Sequence, residues 1–83
     1  MQQISLIVLF FGALKPIFGN KRTITISVGC SISDVLGIFI QENALSTGVL
    51  QSCQTAIDSE IKDRNYKIVS DCELAILPPF SGG

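Results

Sequence analysis

The stretch Glu-Leu-Ala-Ile-Leu-Pro-Pro-Phe-Ser-Gly-Gly occupies residues 73–83, and it decides both the fold and the function that we expect. Its first five residues have the apolar composition of a buried strand. The two prolines that follow have no N–H group to donate to a strand ladder, so pairing should stop there. The sequence therefore predicts a folded domain over residues 1–77 and an extended tail over residues 78–83.

The tail combines stiffness with a thin, unbranched end. Two consecutive prolines favour an extended backbone, and Gly82 and Gly83 have no Cβ. Such a segment can enter a narrow channel on another protein. No neighbouring side chain is a nucleophile or a base, so the terminal carboxylate of Gly83 is the candidate reactive group. Tags and truncated chains also end in small residues, but that alternative does not explain the prolines or the apolar Phe80.

Length and composition restrict the class of protein. The chain has 83 residues, enough for one domain with a modest core. Its hydrophobic content of 47% exceeds what so small an interior can hold, so we expect an exposed apolar patch that contacts a partner. The net charge is −1, and there is no run of basic residues. This balance argues against nucleic-acid binding.

Cysteine and histidine usage disfavours metal sites and disulfides. The three cysteines Cys30, Cys53 and Cys72 are widely spaced, and the chain has no histidine. We expect reduced thiols, a cytoplasmic protein and no bound metal. A persulfide or redox role for Cys72 is a minor alternative. The apolar run over residues 4–14 is too short to span a membrane and lacks the basic flank of a secretion signal, so a buried strand and no membrane association are expected.

Hydrophobic periodicity predicts the remaining elements. Residues 3–11 carry apolar side chains in both registers, which predicts a central strand covered on both faces. Residues 21–28 alternate between apolar and polar side chains, as a half-buried strand does. A helix should follow, capped by Ser31 or Ser33, with Asp34 adding negative charge in its first turn, and it should end near residue 43. Weaker strand signals lie at residues 52–57 and 60–64, and residues 45–51 are ambiguous.

The element order predicts an α+β fold: a mixed sheet of four to five strands crossed by one main helix. The first and last strands are the most apolar, so they should lie side by side in the centre. The tail would then leave from the middle of the sheet.

Three segments carry a family resemblance. They are Val-Leu-Phe-Phe-Gly-Ala at residues 8–13 followed by Phe-Gly at residues 18–19, Asp-Cys-Glu-Leu-Ala-Ile-Leu-Pro-Pro at residues 71–79, and Phe-Ser-Gly-Gly at residues 80–83. Together they resemble the small, sulfur-carrying subunit of molybdopterin synthase, a ubiquitin-like β-grasp protein. The chain departs from that family at two turns. Asp71 stands where glycine is usual, and Asp58-Ser59 stands where Asn-Gly is common.

The resemblance implies a function in molybdenum cofactor biosynthesis. A ubiquitin-activating-type adenylyltransferase would consume ATP to adenylate the carboxylate of Gly83, and a sulfur donor protein would convert it into a thiocarboxylate. The tail would then enter the large catalytic subunit, where sulfur passes to a cyclic pyranopterin monophosphate precursor. The family forms heterotetramers of two small and two large subunits. The resemblance therefore implies that the chain binds no cofactor. It also implies that the chain catalyses no reaction on its own, because the catalytic side chains belong to its partners.

The resemblance also implies roles for individual residues. Gly83 carries the activated carboxyl group and then the sulfur, and Gly82 allows passage through a tight channel. The tail-insertion residues are Pro78, Pro79, Phe80, Ser81 and Gly82. Because of the excess of apolar residues, we also expect a partner-binding surface on the exposed side of the central strands, with candidates Phe11, Leu74 and Ile76.

Three other functions are compatible with the sequence. The chain could carry sulfur for thiamine synthesis or tRNA thiolation, or it could be a modifier joined through Gly83 to lysines of target proteins. It could also be a passive interaction domain whose tail has no chemical role. The Pro-Pro-x-Ser-Gly-Gly ending favours the molybdopterin pathway over these.

Overall fold

The structure is a computed structural model, and it describes residues 2–79. Five strands and three short or medium helices make up this part of the chain. The strands are β1 (Gln3–Phe10), β2 (Lys21–Ser27), β3 (Gln54–Ile57), β4 (Glu60–Lys62) and β5 (Cys72–Leu77). The helices are α1 (Lys15–Phe18), α2 (Ile32–Glu42) and α3 (Thr47–Ser52), and 3₁₀ turns precede α1 and α3.

The strands form one mixed sheet in the order β2-β1-β5-β3-β4. The β1–β5 pair is parallel, and the other three pairs are antiparallel. The two most apolar strands therefore lie side by side near the centre, as the sequence predicts. With α2 packed across one face, this topology is a β-grasp fold of the α+β class, so the predicted fold class is confirmed.

A reciprocal cap fixes the start of α2. The Ser31 hydroxyl accepts a hydrogen bond from the Asp34 N–H (3.1 Å), and the Asp34 carboxylate accepts one from the Ser31 N–H (3.0 Å). The helix places its apolar side against the sheet, where Val35 and Phe39 are fully buried. These bonds satisfy backbone donors that would otherwise be unpaired at the helix start, so the capping motif predicted from sequence is confirmed.

The core lies between α2 and one face of the sheet. Three aromatic rings form its centre: Phe10 stacks on Phe18 with centroids 5.0 Å apart, and Phe39 meets the two rings edge-on at 5.1 and 5.3 Å. Aliphatic side chains from both central strands complete it. The fully buried strand residues are Leu6, Val8, Leu74 and Ile76.

The ambiguous stretch between α2 and β3 is helical. Asn43 accepts a hydrogen bond from the Leu45 N–H (3.1 Å) at the start of the 3₁₀ turn, and α3 follows. At the C-terminal end of α3, the Arg64 guanidinium donates hydrogen bonds to the carbonyl oxygens of Leu50 and Cys53, each at 3.0 Å. A residue from beyond β4 thus satisfies carbonyls that the end of α3 leaves unpaired.

The β3–β4 turn has the left-handed backbone that the family's Asn-Gly dipeptide usually supplies. Asp58 and Ser59 have φ values of 47° and 72°. Asp58 also accepts a hydrogen bond from the Glu73 N–H (3.0 Å), which ties the turn to β5. Because Asp tolerates left-handed geometry and this bond holds the turn, the substitution leaves its shape intact.

Candidate functional site

The strand register separates the sheet into a covered face under α2 and an open face. On the open face, one row crosses the sheet through Lys21, Leu9, Ala75, Ala56 and Ile61, because each is paired with the next across adjacent strands. Four of these five residues are apolar. The buried residues of α1, α2 and α3 all belong to the single core on the covered face. Leu9 and Ala75 on the open face are only partly buried, so the expectation that β1 is covered on both faces is wrong.

The open face is apolar around the central strands. Ile7, Leu9, Ala75 and Leu77 are only partly buried, and Ile61 on the edge strand β4 is 59% exposed. Phe11 continues the alternation of β1, since its backbone remains extended (φ −131°, ψ 159°), and its side chain is 38% exposed. An uncovered apolar sheet face of this kind is typical of a protein-binding surface.

Two of the three predicted interface residues lie elsewhere. Leu74 and Ile76 are 0% exposed and belong to the core on the covered face, so they cannot contact a partner. The prediction assigned them to the wrong side of β5. Phe11 is partly exposed, and its contact with a partner stays a prediction.

The residues that the prediction missed on β5 are Ala75 and Leu77. Side chains alternate along a strand, so the charged Glu73 in the same register was the sequence signal that this side faces outward.

The tail leaves the sheet beside the end of β1. The last β1–β5 register pair is Phe10 with Ile76, and β5 ends one residue later at Leu77. Pro78 is half-buried and Pro79 is exposed, so the chain moves away from the domain at the two prolines. The predicted tail residues Phe80, Ser81, Gly82 and Gly83 lie outside the described residues.

At the other end of β5, carboxylates line a shallow cavity of about 400 Å³. Asp71 accepts a hydrogen bond from the Ser5 N–H (2.8 Å), and Asp58 accepts one from the Glu73 N–H. These bonds connect β1, β5 and the β3–β4 turn. Two of the cavity's carboxylates therefore pair with backbone donors at strand ends, which is a structural role.

The geometry argues against a nucleophilic role for Cys72. Burial raises the pKa of its thiol, and the nearby carboxylates of Asp58 and Asp71 raise it further. A thiol must lose its proton to act as a nucleophile, so this environment opposes the persulfide alternative.

The environment of the Cys53 thiol also opposes a nucleophilic role. Its thiol donates to the Val49 carbonyl oxygen (3.0 Å), and burial raises its pKa, partly offset by the Arg64 charge.

Neither a metal centre nor a membrane span is evident in the described part of the chain. Among residues 2–79, no three His, Cys, Asp or Glu side chains converge as metal ligands would. No helix within the same residues has the length and apolarity needed to cross a bilayer. The features that remain are an apolar open face and the tail that begins at its edge.

Comparison with known proteins supports a relationship to sulfur carriers. A curated relative, the molybdopterin synthase sulfur carrier subunit of Chlamydomonas reinhardtii, is 29% identical over 79 residues, covering 92% of this chain and 95% of the relative.

Two solved structures share the fold. One is subunit 1 in the complex of subunits 1 and 2 of molybdopterin-converting factor from Helicobacter pylori (TM-score 0.63, 23% identity, 96% of this chain and 100% of that one). The other is small archaeal modifier protein 1 from Haloferax volcanii (TM-score 0.78, 16% identity, 93% and 99%). The ThiS family model matches residues 8–83, which is nearly the whole sequence, and the chain therefore belongs to the ThiS family.

Proposed function

We propose that this chain is the sulfur-carrier subunit of a molybdopterin synthase. The observation that carries the proposal is the position of the tail: a central strand ends in Pro78-Pro79 at the border of an uncovered apolar face. The Chlamydomonas relative is a sulfur carrier of this pathway, and the Helicobacter neighbour is a complex of two subunits. A docking face next to a reactive tail fits such an assembly.

The reactive group in this proposal is the carboxylate of Gly83. A carboxylate is ionised at neutral pH and is a poor acyl donor, so it must be activated. Its oxygen attacks the α-phosphorus of ATP on an adenylyltransferase, which releases pyrophosphate and forms an acyl-adenylate. The outer sulfur of a persulfide on a donor protein then attacks the acyl carbon and expels AMP, and a thiol reductant cleaves the sulfur–sulfur bond that still joins the acyl group to the donor. The product is a terminal thiocarboxylate.

Sulfur transfer takes place on the large subunit. The thiocarboxylate sulfur forms a bond to a carbon of the cyclic pyranopterin monophosphate while a carbon–oxygen bond at that carbon breaks and the oxygen leaves with the bonding electrons. Water cleaves the bond between that sulfur and the acyl carbon of Gly83, which restores the carboxylate. Two such transfers supply the two sulfur atoms of the dithiolene. Burial raises the pKa of the Cys53 and Cys72 thiols, which opposes their use as nucleophiles in these steps, and the chain has no histidine. The catalytic side chains then belong to the partners.

The open face would hold the carrier on the large subunit while the tail reaches the active site. Leu9, Ala75 and Leu77 lie on this face beside the base of the tail, and Phe11 adjoins them. Pro78 and Pro79 restrict the backbone of the tail, which lowers the entropy lost when the tail becomes ordered on insertion. Docking and chemistry thus use adjacent but separate parts of the chain.

Adding one alanine after Gly83 tests the proposal. The purified protein is mixed with its adenylyltransferase, ATP, a sulfur donor, the large subunit and the pterin precursor, and molybdopterin is measured. The unaltered chain should form product, and the extended chain should form none. The matched control carries the extra alanine after Met1 and should be fully active. Product formation by the C-terminal extension, with mass spectrometry showing no trimming, would refute the proposal.

A second candidate function is supported by the modifier neighbour. Small archaeal modifier protein 1 has the same fold, and the same terminus could be joined to a lysine of a target protein. The two fates differ in their covalent product. Intact-mass analysis of the protein isolated from cells should show replacement of one oxygen by sulfur if it is a carrier. Larger species containing an isopeptide bond to other proteins would instead support the modifier function.

A further inference from the structure

Gly12 occupies an unusual position where β1 gives way to the following turn. It comes two residues after the end of β1, and its φ of +57° is left-handed. Residues with a Cβ adopt this conformation at a cost, whereas glycine adopts it freely. The extended backbone of β1 ends here, and the 3₁₀ turn Gly12–Leu14 begins. This change takes place beside the point at which the tail leaves the sheet.

The backbone of Gly12 is in close contact with the base of the tail. A Cβ built on Gly12 would lie 3.1 Å from Cγ of Pro78, nearer than the roughly 3.5–4.0 Å at which carbon atoms attract each other best. Pro78 is the first residue after β5 and is half-buried. A side chain on Gly12 would therefore press against this ring and require it to shift by a few tenths of an ångström.

We propose that Gly12 is a positioning residue that sets the direction in which the tail leaves the domain. The proline ring fixes φ of Pro78, so a displaced ring would carry the following backbone with it. Gly83 is five positions after Pro78, so a shift at the base of the tail changes the point from which the backbone must reach the partner's active site. This inference rests on the proposed function, because direction matters only if the tail must reach a partner's active site.

A second glycine separates this role from backbone strain. Gly29 also has a left-handed φ, +93°, but a Cβ there would meet nothing within 4 Å. Gly29→Ala and Gly12→Ala both force alanine into a left-handed conformation. Only Gly12→Ala also places a methyl group against Pro78. A loss of sulfur transfer that is confined to Gly12→Ala would therefore reflect the contact with the tail.

The experiment compares thiocarboxylated carriers in a single turnover. The unaltered chain, Gly12→Ala and Gly29→Ala are each mixed with the large subunit and the pterin precursor. Affinity for the large subunit is measured separately by calorimetry. At saturating large subunit, Gly12→Ala should transfer sulfur about tenfold more slowly, since small misplacements of reacting groups are costly. Its affinity should change less than about twofold, because the docking face is intact. Gly29→Ala should match the unaltered rate.

Two further variants keep the test decisive if Gly12→Ala folds poorly. Gly12→Asn introduces a Cβ, but asparagine tolerates left-handed backbone better than alanine. It should melt at a higher temperature than Gly12→Ala and show the same slow transfer. Pro78→Ala removes the ring atom that the new Cβ meets. In a Pro78→Ala background, Gly12→Ala should reduce the rate much less than it does in the unaltered chain.

Several outcomes would overturn the inference. These are an unaltered rate for Gly12→Ala and Gly12→Asn, an equal loss for Gly29→Ala, and an equal loss in the Pro78→Ala background. Weaker affinity with a normal rate at saturation would place Gly12 in the docking surface instead. Failure of the unaltered thiocarboxylate to form product would refute the proposed function itself, a result distinct from any difference among the glycine variants.

Discussion

The two faces of the sheet have similar apolar content but opposite surroundings. The covered face carries Phe10, Leu74 and Ile76, all at most 1% exposed beneath α2. The open face carries Leu9, Ala75 and Leu77, which are only partly buried and lie outside the core cluster. Neighbouring residues on one strand therefore have different functions. Those on the covered face hold the domain together, and those on the open face remain available to a partner.

The largest expected effect compares the adjacent residues Phe10 and Phe11. Phe10→Ala removes the ring that contacts both Phe18 and Phe39, and should lower the free energy of unfolding by about 3–5 kcal/mol. Phe11→Ala removes a ring that is 38% exposed and should cost less than about 1 kcal/mol. Urea denaturation measures both changes.

Binding should show the opposite order for the same pair. Phe11→Ala should weaken affinity for the large subunit by about tenfold or more, if the open face is the docking surface. Phe10→Ala, assayed in conditions where it remains folded, should bind nearly as well as the unaltered chain. Equal destabilisation by the two substitutions, or unchanged binding by Phe11→Ala, would contradict the division between the faces.

The next effect locates the outer boundary of the docking surface. Ile61 and Val69 are exposed to the same degree, 59% and 61%. Ile61 lies at the β4 end of the open-face row, whereas Val69 follows Ile68, whose backbone pairs with Gly29 and Cys30 away from that face. Ile61→Asp should weaken partner binding by about 30-fold, equivalent to ~2 kcal/mol.

Val69→Asp is the matched control, because it adds the same charge at the same exposure. It should change affinity less than about twofold and leave the melting temperature nearly unchanged. Calorimetric titration with the large subunit measures both variants. Equal losses for Ile61→Asp and Val69→Asp would show that added negative charge, and not the position on the sheet, weakens the complex.

The sequence predicts the regular elements better than it predicts which side of a strand is covered. Strand β2 and helix α2 have clean periods of two and 3.6, and both occur where they were expected. In β1 and β5, both registers are largely apolar, and in β5 the single charge of Glu73 is the only sequence signal for which set faces away from α2. That ambiguity placed Leu74 and Ile76 on the wrong side.

Helix α3 was unpredictable for a different physical reason. Its stretch contains Gly48, which lowers local helix propensity. The stabilising contact comes from Arg64, which lies beyond β3 and β4 in the chain and donates to carbonyls at the end of α3. A local pattern cannot contain that information. The tail motif was visible in the sequence because its features, two prolines and two glycines, depend on no distant residue.

A smaller effect concerns the stability of helix α2, which covers one face of the sheet. Ser31→Ala removes the hydroxyl that accepts the Asp34 N–H at the start of α2. The expected loss is about 1 kcal/mol of unfolding free energy, and a melting temperature lower by roughly 4–8 °C. Ser33→Ala is the matched control, since Ser33 lies within the first turn and is not the cap. Thermal melts by circular dichroism should separate the two variants, and equal melting temperatures would mean that the cap does not stabilise the helix.

The smallest expected effect is a pH dependence at the rim of the covered face. Arg22 of β2 donates two hydrogen bonds, of 2.7 and 3.0 Å, to the carboxylate of Glu42 at the end of α2. These bonds hold the pKa of Glu42 below its usual value. A lowered carboxylate pKa stabilises the folded state above the unfolded-state pKa of about 4.3, and this contribution is lost as pH falls through the lower folded-state pKa.

Because Glu42 and Arg22 are partly exposed, the contribution should be small. Between pH 6 and pH 3, the unaltered chain should lose about 1–2 °C more in melting temperature than Glu42→Gln does. Glu60→Gln is the matched control: it removes a carboxylate from the ion pair with Lys62 on β4, away from α2. If Glu42→Gln and the unaltered chain lost stability in parallel, the Arg22–Glu42 contact would not connect helix and sheet in solution. Acid should therefore weaken the contact between β2 and α2. It should leave the apolar residues of the open-face row, Leu9, Ala75, Ala56 and Ile61, unaffected.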